Sequence, residues 1–83
     1  MNVFYNREGI GDTLLITLKA VDPQVRAFEK KGDVVRIFNE QTGETVGYNI
    51  FHASTYGTFE GNGVVERTEQ LIATINDILQ KMV

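Results

Sequence analysis

The stretch Gly32 to Ser54, GDVVRIFNEQTGETVGYNIFHAS, decides the fold. Val34-Val35-Arg36-Ile37-Phe38 forms one extended arm and Thr45-Val46-Gly47-Tyr48-Asn49-Ile50-Phe51 the other. Glu40-Gln41-Thr42-Gly43 lies between them, with a glycine where a tight loop needs a positive φ. The spacing predicts an antiparallel hairpin. Placing Asn39 opposite Glu44 sets Ile37 opposite Val46 and Val35 opposite Tyr48, with Ile50 next in line. That face is apolar and is the expected core. Val34, Arg36, Phe38, Thr45, Gly47, Asn49 and Phe51 then share the other face, mixed enough to be a contact surface. A slip of one residue would exchange the two faces.

Working outward, Asn2 to Asn6 reads as a short strand, and Glu8-Gly9-Ile10-Gly11-Asp12 as a turn. Thr13 to Lys19 alternates, with Leu14, Ile16 and Leu18 inside and Leu15 the exception on the polar side. Val21-Asp22-Pro23 ends that strand, because proline has no N–H to give a ladder. Gln24 to Glu29 reads as a third strand in preference to a helical turn, and Lys30 to Asp33 as the turn into the hairpin. Ser54 to Gly63 reads as a connection with a short extended piece at Thr55–Phe59. Val65, Thr68, Leu71, Ile72, Ile75, Ile78, Leu79 and Met82 then recur at helical spacing. Glu66 and Glu69 at the start and Lys81 at the end suit the helix dipole. About 17 residues make a helix of ~25 Å, long enough to cross a sheet of ~20 Å strands. The expected fold is α+β. It has an antiparallel sheet of about four to five strands built from hairpins, covered on one face by a single C-terminal helix. Residues 1–83 read as a single small domain.

Composition narrows the function. A chain of 83 residues buries roughly 60–65% of its unfolded surface and reaches a stability of roughly 3–5 kcal/mol. Strained catalytic groups have little to lean on. The absence of cysteine excludes disulfides and thiolate metal sites. No apolar run approaches a membrane span and no leader pattern opens the chain, so a cytoplasmic protein is expected. Net charge is −3, unevenly spread. Residues 1–39 hold six Lys/Arg and five Asp/Glu, whereas residues 40–83 hold two and six. The one basic cluster, Arg26, Lys30, Lys31 and Arg36, is interrupted by Glu29 and Asp33. Nucleic-acid affinity rests mainly on phosphate contacts, so this chain alone is expected to bind poorly. That cluster is nevertheless the candidate RNA contact.

Candidate chemistry is sparse. Gly9-Ile10-Gly11 lacks the third glycine and the following helix of a dinucleotide fingerprint, and Asp12 would repel phosphate; a structural turn is the preferred reading. His52, the sole histidine, stands two residues before Ser54, with Asp12 or Asp33 able to complete a triad. That arrangement makes a small His52-centred hydrolase the catalytic alternative to a structural histidine. Glu66 with Glu69, or Glu40 with Glu44, could pair as acid and base or hold a hard cation, but carboxylates are expected at a helix start and a turn tip. No metal or other cofactor is expected. Phe28 and Phe38, near Arg26 and Arg36, are the best candidates for base stacking, against a reading of most aromatics as core.

Two segments are familiar together. One is Phe4-Tyr5-Asn6 leading into Gly9-Ile10-Gly11-Asp12-Thr13-Leu14-Leu15. The other runs from Gly32-Asp33-Val34-Val35 through Ile37-Phe38-Asn39 and Tyr48-Asn49-Ile50-Phe51 to Ala53-Ser54. The chain resembles the N-terminal domain, of unknown function, of the YtpR-type bacterial tRNA-binding proteins. The resemblance implies a downstream OB module that binds tRNA and is similar to a module of the phenylalanyl-tRNA synthetase β subunit. That module would begin where this chain stops. The implied role is a non-enzymatic accessory domain. It would orient the OB module, self-associate, or meet a protein partner through a face containing Phe38, Asn49 and Phe51. The resemblance assigns no functional residue within these 83.

Overall fold

The computed structural model describes residues 1–7, 11–59 and 61–82. Its elements are β1 (Asn2–Asn6), β2 (Thr13–Thr17), β3 (Arg26–Lys31), β4 (Val34–Asn39), β5 (Thr45–Ile50), β6 (Gly63–Val64) and α1 (Glu69–Met82). All six strands join one antiparallel sheet in the order β3-β4-β5-β2-β1-β6. The α+β architecture with a single C-terminal helix is as expected, but the sheet has six strands instead of four to five. The added strand is β6, two residues long, hidden in the sequence because Gly63 and the glycines before it read as a loop.

The register defines two faces. Gly63, Tyr5, Leu14, Ile50, Val34 and Lys31 form one row straight across the sheet. Val3, Ile16, Tyr48, Arg36 and Glu29 form a second row on that same face. The helix covers this face: Leu71, Ile75 and Ile78 join Val3, Tyr5, Leu14, Ile16, Val34 and Ile50 in the core. Leu14, Ile16, Ile50 and Ile78 are completely buried, and each such side chain contributes roughly 1.5–3 kcal/mol relative to exposure.

The central hairpin departs from its expected register. At the tip Asn39 N–H donates to Glu44 O at 2.8 Å, as expected, and Gly43 takes φ +76°. Beyond the tip a bulge shifts the pairing: Phe38 lies opposite Thr45, but Ile37 lies opposite Gly47. Val46 is the extra residue, and its carbonyl accepts the N–H groups of Leu18 (2.9 Å) and Lys19 (3.2 Å). A bulge bends its strand and displaces side chains downstream. Tyr48 and Ile50 therefore face the helix, as expected, whereas Val34 takes the place expected for Val35 and Ile37. Val35, Ile37 and Val46 are buried on the opposite face. There Ala20 and Val21, from the segment joining β2 to β3, line a shared depression with Ile37 and Val46.

Other boundaries follow local chemistry. A 3₁₀ turn, Pro23–Val25, precedes β3, with the Asp22 carboxylate accepting Gln24 N–H at 2.9 Å. The predicted third strand is present but starts two residues late. The extended piece expected at Thr55–Phe59 is absent: Thr55 closes the 3₁₀ turn Ala53–Thr55, and residues 56–59 belong to no strand. The helix begins at Glu69 because Thr68 Oγ1 caps the N–H of Leu71 at 3.1 Å, a side-chain acceptor that replaces the missing intrahelical one. Val65, expected to open the helix, lies before it, and its N–H donates to Val3 O at 2.9 Å. Leu18, read as inward-facing, is exposed at the bend. The side chain of Met82 lies outside the described residues.

Two stability predictions follow. A Cβ on Gly47 would sit 2.5 Å from Ile16 O, a backbone atom of a central strand. Gly47→Ala is expected to cost at least about 2 kcal/mol, read as a lower urea midpoint. Thr68→Ala is expected to cost about 1 kcal/mol, with a loss of helical circular dichroism confined to the first turn of α1.

Candidate functional site

Two aspartates organise one end of the sheet. Asp12 follows Gly11 in left-handed backbone (φ 53°), a conformation aspartate tolerates better than most residues. Its carboxylate accepts the hydroxyls of Tyr5 and Ser54, each at 2.6 Å, and the N–H of Ser54 at 2.9 Å. Its own carbonyl accepts Ala53 N–H at 2.9 Å. Asp33, in the turn between β3 and β4, accepts the Tyr56 hydroxyl at 2.5 Å and lies 3.1 Å from His52 Nδ1. Its carbonyl accepts Phe51 N–H at 2.7 Å. The two carboxylates thus pin residues 51–56 to the ends of β2 and β4. Gly11, Lys30, Asp33, Phe51 and His52 line a shallow depression of about 230 Å³ there.

This geometry separates the components of the suggested triad. His52 reaches a carboxylate, so its acid partner exists. Ser54 Oγ, however, donates to Asp12, not to His52, and His52 stands largely exposed, its side chain 71% accessible. His52 is itself left-handed (φ 55°) and Ser54 lies within the 3₁₀ turn Ala53–Thr55, so the two do not share a strand face. A hydroxyl activated by a histidine needs a direct hydrogen bond between the two, and that bond is replaced here by two separate ties to aspartates. Gly9 and Ile10 of the suggested phosphate loop lie outside the described residues. Glu44 pairs with Lys19 at 2.9 Å. Glu69 occupies the first turn of α1, while Glu66 precedes the helix. Among the described residues no group of three His, Asp or Glu side chains is placed to hold a metal ion.

The basic cluster is divided between the two faces. Arg36 lies on the helix side, its guanidinium 4.3 Å over the Phe38 ring, 3.0 Å from Thr45 Oγ1 and 3.5 Å from Glu29. Lys31 shares that side, opposite Val34. Arg26 and Lys30 lie on the open side with Phe28 between them. The Arg26 guanidinium is 5.7 Å from the Phe28 ring centre, and Lys30 Nζ is 5.9 Å from that of Phe51. The expected Phe38-Asn49-Phe51 face is divided too. The bulge leaves Phe38 beside Arg36 under the helix side, while Asn49 pairs with Val35 and Leu15 on the open side.

The open side carries residues that the hairpin reading missed. Lys30, Val35, Asn49, Leu15, Phe4 and Val64 form a row across all six strands. Val64 is 87% exposed, Phe28 58%, Phe4 43% and Leu15 38%. The signal was in the sequence: Leu15 broke the alternation of its strand, and Phe4 sat between the two inward residues Val3 and Tyr5.

The aspartate ties set a pH dependence. Partial burial pushes the Asp12 carboxyl up, but the hydrogen bonds from Ser54 and Tyr5 outweigh it and hold the carboxyl below the usual range. The Tyr56 hydroxyl, aided by His52, lowers that of Asp33. A carboxyl depressed in the folded state contributes stability that is complete above its unfolded value of about 3.9 and is lost as pH falls through the folded value. Stability is therefore expected to drop below pH ~5. Asp12→Asn should lose about 1 kcal/mol at pH 7 and flatten that acid limb, measured by urea titrations from pH 7 to 2.5.

The family model "Domain of unknown function (DUF4479)" matches residues 21–82. A protein of Bacillus subtilis (strain 168), named "Putative tRNA-binding protein YtpR", is 52% identical over 81 residues, covering 98% of this chain and 40% of that protein. The chain thus spans well under half the length of that relative. No solved structure matches. The chain belongs to the DUF4479 family of domains of unknown function, in its YtpR-type form.

Proposed function

We propose that this chain is a non-catalytic accessory domain of a cytoplasmic, bacterial tRNA-binding protein. In this reading it seats the tRNA-binding portion of a longer polypeptide against the open side of its sheet. The observation that carries the proposal is the patch formed by Phe4, Leu15 and Val64, adjacent across three strands and all exposed. Apolar side chains grouped this way mark interaction surfaces. The occupant is argued from length: the Bacillus relative has more chain outside the matched part than within it. The resemblance described above assigns an OB module to that remainder.

The test is a titration of folded tRNA into three proteins: the 83-residue chain, the unmatched part of the Bacillus relative, and the two joined. The joined protein is expected to bind tightly and the 83-residue chain only weakly. In the joined protein, Leu15→Asp should release the seated module, seen as independent tumbling by NMR relaxation, without altering the circular dichroism of the accessory domain. Equally tight binding of folded tRNA by the 83-residue chain alone would overturn the accessory role. Unchanged tumbling after Leu15→Asp would overturn the docking surface.

A further inference from the structure

The other half of the open side has a different chemistry. Phe28 lies on the edge strand and is 58% exposed, far more than an aromatic ring buried for stability. Arg26 and Lys30 stand two positions either side of it on the same face. Strand alternation sends Glu29, the acid between them, to the helix side, where it meets Arg36. The edge strand therefore turns bases and an aromatic outward on one side and keeps its acid on the other. Neither Arg26 nor Lys30 forms an ion pair among the described residues. Half-buried Phe51 offers a second ring next to Lys30, at the rim of the depression it shares with Asp33 and His52, where the Asp33 carboxylate is engaged by Tyr56 and His52.

We infer that Arg26, Phe28, Lys30 and Phe51 form a binding surface for single-stranded RNA. Two rings, each with a cation beside it, match what an unpaired strand presents: flat bases for stacking and phosphates for the cations. Protein interfaces, by contrast, deplete charge at their centres, and this patch has charge on both sides of its exposed ring. The Phe4-Leu15-Val64 patch on the far strands has the apolar character a protein partner needs. A duplex is a poorer fit, because two cations neutralise too few phosphates and a sheet face does not enter a groove. The assignment to RNA instead of DNA rests on the tRNA-related reading proposed above. In that reading the surface would hold an unpaired segment of the tRNA whose folded body binds elsewhere.

The experiment uses the 83-residue chain and fluorescein-labelled octauridylate, followed by anisotropy between 20 and 200 mM salt. Weak saturable binding is expected at the lowest salt, with log K falling against log salt at a slope of about −1.4 for two phosphates on a single strand. Phe28→Ala should weaken binding roughly tenfold, and Arg26→Glu with Lys30→Glu should abolish it. Arg36→Gln on the opposite face, and Leu15→Ala on the apolar patch, should leave it unchanged. Absence of binding at 20 mM salt, or equal binding by the Phe28→Ala variant, would overturn the inference. A Phe28-dependent dimer in sedimentation without RNA binding would overturn it in favour of a protein contact. These outcomes are separate from the folded-tRNA titration. Failure with octauridylate leaves the accessory role standing. Tight folded-tRNA binding by the isolated chain removes that role whatever octauridylate does.

Discussion

The close fit of Gly47 against the Ile16 carbonyl, with the bulge beside it, sets the register on which the rest of the sheet depends. Any side chain at position 47 would strike the Ile16 carbonyl, so β5 packs tightly against β2 only with glycine there. Directly before it, Val46 is the extra residue of the bulge, and its carbonyl anchors Leu18 and Lys19 as the chain crosses to the edge strand. The bulge and the close contact fix the register of β5 against both neighbours. Through that register they decide which side chains meet the helix and which face away.

Asp12 and Asp33 hold the opposite end of the sheet by a different means. Asp12 collects donors from two distant segments, Tyr5 and Ser54, and Asp33 takes two from the loop after β5, His52 and Tyr56. Hydrogen bonds to a charged acceptor are stronger than neutral ones, and a small core gains from them. The same ties explain why the two residues that suggested nucleophilic chemistry, His52 and Ser54, are engaged separately. Both serve to fix the loop that follows β5.

The helix covers only one face, and the sheet is left with an open side of two halves. Over β6, β1 and β2 it is apolar; over β3 and the end of β5 it is aromatic and cationic. A chain of net charge −3 thus presents a locally basic surface, because alternation along β3 sorts opposite charges to opposite faces. Overall charge is a poor guide to a surface whose pattern is set by a period of two residues.

The sequence by itself determined the fold class, the N-terminal and central hairpins, the helix and the kinship. These rest on local periodicity and turn chemistry, which neighbouring residues encode. Leu14, Ile16, Tyr48, Ile50, Leu71, Ile75 and Ile78 were all legible as inward-facing for this reason. Of the expected helical stripe Leu71, Ile75 and Ile78 are buried, whereas Ile72 is exposed and Val65 and Thr68 precede the helix. Only the tertiary structure decided the face of Val34 against Val35, the pairing of β6, the partners of the two aspartates and the division of the basic cluster. Each of these depends on contacts between distant segments: a bulge fixed by Leu18 and Lys19, a glycine fitted to Ile16, a serine captured by Asp12. A one-residue shift in such a contact turns every later side chain to the other face, so local pattern alone could not place Arg26, Phe28 and Lys30 together on the open side and Arg36 on the other.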